Sequence, residues 1–258
     1  MISRVSLLAI TFTLAATGTL AVPFPCSSSG RIVGGYPANI TDIPFQVSLQ
    51  HDLGHFCGGS IISSRWILMA AHCAGSTDRP SFKVRVGSSL SNEGGQLLTP
   101  KRVIAHPQFD TGTVDYDFGL LELSEELKLD NLLYTVELPK QDEPVQDGTC
   151  LRVSGWGDTL NASENGYQLK ASNIPVVNQE KCSEAYEHFG VVTPRMICAG
   201  YEIGGDNACH GDSGGPLVDG SKLVGVVSWS FDCAAEGFPT VYARVAAVRS
   251  WIKEVSGV

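Results

Sequence analysis

Three places in this chain carry the residue types that nucleophilic catalysis needs. Ser213 stands in Gly211-Asp212-Ser213-Gly214-Gly215-Pro216, His72 in Ala70-Ala71-His72-Cys73, and Asp117 in Asp115-Tyr116-Asp117. A serine hydroxyl is a poor nucleophile at neutral pH and needs a base within hydrogen-bond reach, and imidazole is the side chain suited to that task. A fourth sequence, Arg31-Ile32-Val33-Gly34-Gly35, sets a basic residue ahead of two apolar ones and a glycine pair. Each has a plain reading when taken singly: His beside Cys as a core residue, Asp-x-Asp as a loop, Gly-Gly-Pro as a turn.

The elements that must hold these residues read as β-structure. Short alternating or β-branched stretches recur at Phe45 to Leu49, Phe82 to Val86, Leu151 to Val153, Leu223 to Val227 and Thr240 to Val245, with glycine and proline between them. That pattern predicts an all-β barrel or sandwich. Near the end, Val245, Val248, Ile252 and Val255 recur at helical spacing beside Trp251, which predicts a C-terminal helix packed on the core.

Of the 258 residues, 43% are hydrophobic and 17% charged, enough apolar material for one large domain. Arg4, the apolar run Val5 to Leu20 and the small residues Thr19 and Ala21 read as a cleaved secretory signal over residues 1–21. The run is shorter than the roughly 20 residues that span a bilayer, so a membrane anchor is not expected. Without residues 1–31 the chain keeps 16 basic against 27 acidic residues, formally -11, which disfavours nucleic acid and anionic membranes as partners. Secretion turns eight cysteines into expected disulfides, and the lack of Cys-x-x-Cys spacing argues against zinc.

Taken together and in this order, the four motifs resemble the chymotrypsin and trypsin family, over the stretch from Arg31 to the C-terminus. The resemblance implies two six-stranded antiparallel β-barrels with a C-terminal α-helix, and a secreted serine endopeptidase acting on protein or peptide substrates. It assigns Ser213 as nucleophile, His72 as general base and then acid, and Asp117 as the buried carboxylate that orients the imidazole. Asp117 is chosen over Asp115 because Phe118-Gly119-Leu120-Leu121 follows it. The backbone N–H groups of Gly211 and Ser213 would face the oxyanion. Ser228 would support Asp117 and line the substrate cleft with Trp229. The resemblance also makes residues 22–31 an activation propeptide and 32–258 the protease domain. Cleavage after Arg31 would free the Ile32 ammonium to pair with Asp212. A catalytically inactive relative acting as a binding module is the competing class.

By the same resemblance Cys57 pairs with Cys73, Cys182 with Cys198, and Cys209 with Cys233. Cys26 and Cys150 depart from the family pattern, since Asp219 stands where the partner of Cys150 is expected; a bond between them and two free thiols both remain open. Asn39-Ile40-Thr41 and Asn161-Ala162-Ser163 are glycosylation acceptor sequences. The single acid Glu93 between Gly87 and Gln96 argues against calcium, and no metal or cofactor is expected. An activating trypsin-like protease and protease inhibitors are the expected partners of a monomeric, digestive-type enzyme.

Counting back from Ser213 through Cys209 puts Asn207 at the floor of the primary pocket, where trypsin-like members have aspartate. Ser230 and Thr240 occupy wall positions that are glycine in those members. The expectation is a narrowed, uncharged pocket preferring small to medium neutral residues before the cut bond. The alternative is trypsin-like specificity for Arg or Lys, with Asn207 a tolerated variation there, either alone or with Asp206 supplying the charge.

Overall fold

The computed structural model describes Cys26 and residues 35–75, 81–130 and 133–258. The proposed signal, the propeptide apart from Cys26, and Ile32 at the start of the protease domain lie outside the described residues.

The first sheet is built from β2 (Gln46–His51), β3 (Gly54–Ile61), β4 (Trp66–Met69), β5 (Lys83–Val86), β6 (Gln96–Leu98), β7 (Pro100–Ala105) and β8 (Gly119–Leu123). The second contains β1 (Tyr36–Pro37), β9 (Cys150–Gly155), β10 (Lys170–Val177), β11 (Met196–Ala199), β12 (Pro216–Asp219), β13 (Lys222–Trp229) and β14 (Thr240–Arg244). All strand pairings within the two sheets are antiparallel. The second sheet closes on itself as a six-stranded barrel, because β9 pairs with both β10 and β12, and β1 is added outside the ring on β10. The first runs in the order β6-β5-β2-β3-β4-β8-β7 without a ladder between its ends. Its end strands β6 and β7 are consecutive in the chain with Thr99 between them, so covalent continuity joins the rim that hydrogen bonds leave open.

Alternation explains the elements that face water on one side. In β5, Val84 and Val86 are buried while Lys83 and Arg85 point outward, as a half-buried strand requires. β8 is buried along its whole length and reads Gly-Leu-Leu-Glu-Leu; its one charge, Glu122, is held by Lys101 at 2.7 Å and Arg102 at 2.6 Å. Leu49, Ile61, Leu68 and Leu121 fill the first barrel, and Leu151, Val153, Ile174 and Leu217 the second. Helix α1 (Gln179–Ala185) is capped by Asn178, whose side-chain oxygen accepts from the N–H groups of Glu180 and Lys181.

The C-terminal periodicity resolves into two parts. Val245–Val248 forms a 3-10 turn, and α2 (Arg249–Ser256) follows, ended by Gly257 at φ 76°. Ile252 is fully buried, and the Trp251 ring lies 4.7 Å from His106 of the first barrel. The terminal helix thereby braces one barrel against the other.

Candidate active site

His72 sits in a 3-10 turn, Ala71–Ala74, immediately after β4. The Cys57–Cys73 disulfide ties that turn to β3. Asp117 lies just before β8, which pairs with β4, so strand pairing alone brings the two residues to one end of the sheet. There the Asp117 carboxylate is buried and collects three donors. The His72 backbone N–H donates to Oδ1 at 2.9 Å, His72 Nδ1 to Oδ2 at 2.7 Å, and the Ser228 hydroxyl to Oδ2 at 2.6 Å. Donation from Nδ1 leaves Nε2 of the imidazole free to take a proton.

Ser213 comes from the second barrel, in the loop before β12. Its carbonyl accepts from Gly58 N of β3 at 2.7 Å. The barrels touch so closely here that only glycine fits. A Cβ on Gly214 would lie 2.6 Å from the Gly58 oxygen, and one on Gly58 would lie 2.8 Å from the Gly215 Cα. Ala70, two residues before His72, is also against Gly214, which seats the serine loop beside the histidine turn. Gly211 adopts φ 95°, a conformation that side-chain-bearing residues rarely take.

The Gly211 carbonyl accepts from His55 Nε2 at 2.9 Å. That donation fixes the tautomer, so His55 Nδ1 accepts from the Ser48 hydroxyl at 2.8 Å. Burial pushes the His55 imidazole down to about 4, against the backbone hydrogen bond, and keeps it neutral. Motif reading does not reach His55, because no local pattern marks it.

Asp212 is fully enclosed and accepts from Gly157 N at 2.9 Å and Cys209 N at 3.0 Å. Burial pushes its carboxyl up to about 6, despite those two bonds, and the charge of Asp158 acts in the same direction. A buried carboxylate held up in this way favours a cation beside it.

A pocket of about 210 Å³ opens beside Ser213 and is lined by Ala208, Cys209, His210, Val227, Ser228, Trp229, Ser230, Cys233 and Thr240. Asn207 is buried beside the lining residue Ala208, and its side-chain oxygen accepts from the Ala208 N–H at 3.0 Å. Asp206 is also outside the lining. Burial raises its carboxyl above the ordinary range, and its charge acts on Tyr201. Ala208 and His210 are pocket residues that the motifs leave unnamed.

Four disulfides are formed: Cys57–Cys73, Cys182–Cys198, Cys209–Cys233 and Cys26–Cys150. The last settles the open pairing, and the Tyr201 hydroxyl adds a bond to the Cys26 carbonyl at 3.3 Å. Cys57, His72 and Cys73 cluster within metal-binding distance, but the two sulfurs are bonded to each other and offer no thiolate. Asn39 is exposed and Asn161 half-buried, with the Asn161 amide donating to Glu164 at 3.2 Å. No helix among the described residues is long and apolar enough to cross a membrane.

A family model described as Trypsin matches residues 32–252. The chain is 54% identical over 231 residues to Trypsin 5G1 of Aedes aegypti, covering 89% of this chain and 86% of that one. It is 45% identical to a Trypsin of Simulium vittatum, covering 90% and 96%, and 46% identical to Hypodermin-B of Hypoderma lineatum, covering 87% of each. With two barrel-like sheets meeting at a serine and a histidine–aspartate pair, and with relatives this similar over this much of its length, the chain belongs to the trypsin family of serine endopeptidases.

Proposed function

We propose that Ser213, His72 and Asp117 are the catalytic triad of a secreted endopeptidase made as an inactive precursor. The observation that carries this reading is the Asp117 carboxylate, buried between His72 and Ser228 while Ser213 borders the pocket. In the proposed reaction Ser213 Oγ attacks the scissile carbonyl carbon and its proton passes to His72 Nε2. The imidazolium, stabilised by Asp117, returns that proton to the leaving amine, and water then hydrolyses the acyl-enzyme by the same route. The Gly211 and Ser213 N–H groups receive the oxyanion, and the His55 bond holds the peptide that follows Gly211 in orientation. Ser213→Ala tests the reading: peptide cleavage should fall by several orders of magnitude with folding unchanged.

In the precursor reading, residues 1–21 direct secretion and cleavage after Arg31 frees the Ile32 ammonium to reach Asp212. The raised carboxyl of Asp212 supports this, since a buried acid with no cation beside it among the described residues resists ionisation. The Cys26–Cys150 bond adds a consequence, because the ten residues 22–31 would stay attached after the cut as a disulfide-linked light chain.

For specificity we propose uncharged residues of small to medium size before the cut bond. Ser230 and Thr240 narrow the lining, and Asn207 places a neutral amide where a carboxylate would attract Arg or Lys. A second reading, preference for Arg or Lys, is favoured by the name Trypsin carried by relatives at 54% and 45% identity. Matched peptides differing only at that residue separate the two: a tenfold or larger kcat/KM preference for Arg over Ala and Leu supports the second.

A further inference from the structure

Asp115 stands two residues before Asp117 and belongs to the same loop, yet its carboxylate turns the other way, toward the second barrel. Its Oδ1 accepts from the Thr193 hydroxyl at 2.8 Å and from Arg195 Nε at 3.3 Å, and its Oδ2 accepts from Arg195 Nη2 at 2.5 Å. This is the two-pronged guanidinium–carboxylate arrangement, which fixes direction as well as distance. Both donors lie in the short segment that leads into β11, and the Arg195 carbonyl accepts from Arg244 N at the end of β14, so the cation is anchored to the second barrel by its own backbone.

The loop around Asp115 is held in an uncommon shape. Val114 and Tyr116 have φ of 55° and 53°, left-handed values that a β-branched and an aromatic residue adopt only when their surroundings impose them. The Tyr116 ring is stacked on His106 at 4.6 Å, and the Arg195 guanidinium lies 5.1 Å from its centroid. Burial of Asp115 works against its charge, but the bonds from Arg195, Thr193 and the Tyr116 N–H outweigh it and hold the carboxyl below its ordinary range. Arg195 thus engages both residues that immediately precede Asp117.

We propose that the Asp115–Arg195 pair is a positioning device for catalysis, fixing the loop that carries Asp117 to the barrel that carries Ser213. The inference rests on the triad reading given above. The histidine–aspartate pair belongs to one barrel and the nucleophile to the other, so their relative placement depends on ties across the boundary. Ser228 is one such tie, made to Asp117 itself. The Asp115–Arg195 pair is a second, made to the backbone on which Asp117 is mounted.

The test uses the activated, full-length enzyme and four variants, Arg195→Met, Asp115→Asn, the double variant, and Arg195→Lys, with Ser213→Ala as control. Misplacement of the imidazole–carboxylate unit lowers the rate of the chemical step, so kcat should fall roughly 10- to 100-fold in each single neutralising variant while KM stays within about twofold. The double variant should be no slower than the worse single variant, since both remove one interaction. Arg195→Lys keeps the charge but not the fork, and should recover part of kcat. If the neutralising variants lower the melting temperature and leave kcat within about twofold of wild type, the pair is only a structural brace and the proposal falls. Should Arg195→Met fail to fold, Asp115→Asn and Arg195→Lys give the same reading of kcat against KM. Ser213→Ala retaining activity would instead overturn the triad assignment on which the inference stands.

Discussion

The Ser228 hydroxyl donates to Asp117 Oδ2 at 2.6 Å, so a strand of the second barrel supplies one of the three hydrogen bonds that a first-barrel carboxylate receives. Replacing Ser228 with Ala leaves the carboxylate with the two bonds from His72 and takes away a buried donor. Loss of such a bond to a charged group corresponds to about 1.5–3 kcal/mol, so kcat/KM should fall roughly 10- to 100-fold. Steady-state kinetics on one peptide check this; an unchanged kcat/KM would mean that the bond does not contribute to the chemical step.

Cleavage after Arg31 should leave a two-chain protein. Arg31→Gln is expected to stay uncut and nearly inactive. In cut wild type, intact mass should include residues 22–31 without reductant and lose them with it, because Cys26 is bonded to Cys150. Loss of the peptide without reductant would contradict the tether.

Asp212 makes precursor stability depend on pH. Its folded carboxyl is raised to about 6 from 3.8, so the folded chain binds the proton more tightly than the unfolded chain does. The stabilisation from that proton is complete below pH 3.8 and is lost as pH rises to 6, a change on the order of 3 kcal/mol. After cleavage the Ile32 ammonium compensates the charge in the proposed pairing. Melting temperatures of cut protein and of Arg31→Gln should therefore diverge more at pH 7.5 than at about pH 4. Equal differences at the two pH values would count against the Ile32–Asp212 pair.

His55 acts in the opposite direction. Its imidazole is lowered to about 4 from 6.5, so its contribution is complete above pH 6.5 and is lost as pH falls toward 4. The change is on the order of 3 kcal/mol. Gln at this position can still donate to the Gly211 carbonyl but does not titrate. Denaturant midpoints of His55→Gln should therefore show a shallower acid loss between pH 6.5 and 4 than wild type, and a parallel profile would show that His55 does not cause the slope.

The family was legible because its local sequences are short and strict, and the strands at Phe45 to Leu49 and Phe82 to Val86 because alternation is a local property. Closure of the second barrel came from the resemblance alone and not from local pattern, since it depends on β9 meeting strands far apart in the chain. The Cys26–Cys150 pairing was undecidable for a similar reason, connectivity being set by the folded topology rather than by spacing. His55 reaches Gly211 across 156 residues and Arg195 reaches Asp115 across 80, and neither carries a sequence pattern that announces the contact. The pocket floor was read from register alone. The structure buries Asn207 directly beside the lining residue Ala208.

Covalent labelling identifies the nucleophile. Wild-type protein cut after Arg31 is treated with a fluorophosphonate, and the modified residue is located by peptide mapping. One label per molecule is expected on Ser213, slowed by a competing peptide substrate and strongly reduced in His72→Ala, where the base is missing. Folded, cut protein that takes no label, or takes it on another residue while cleaving peptides normally, would contradict Ser213 as the nucleophile.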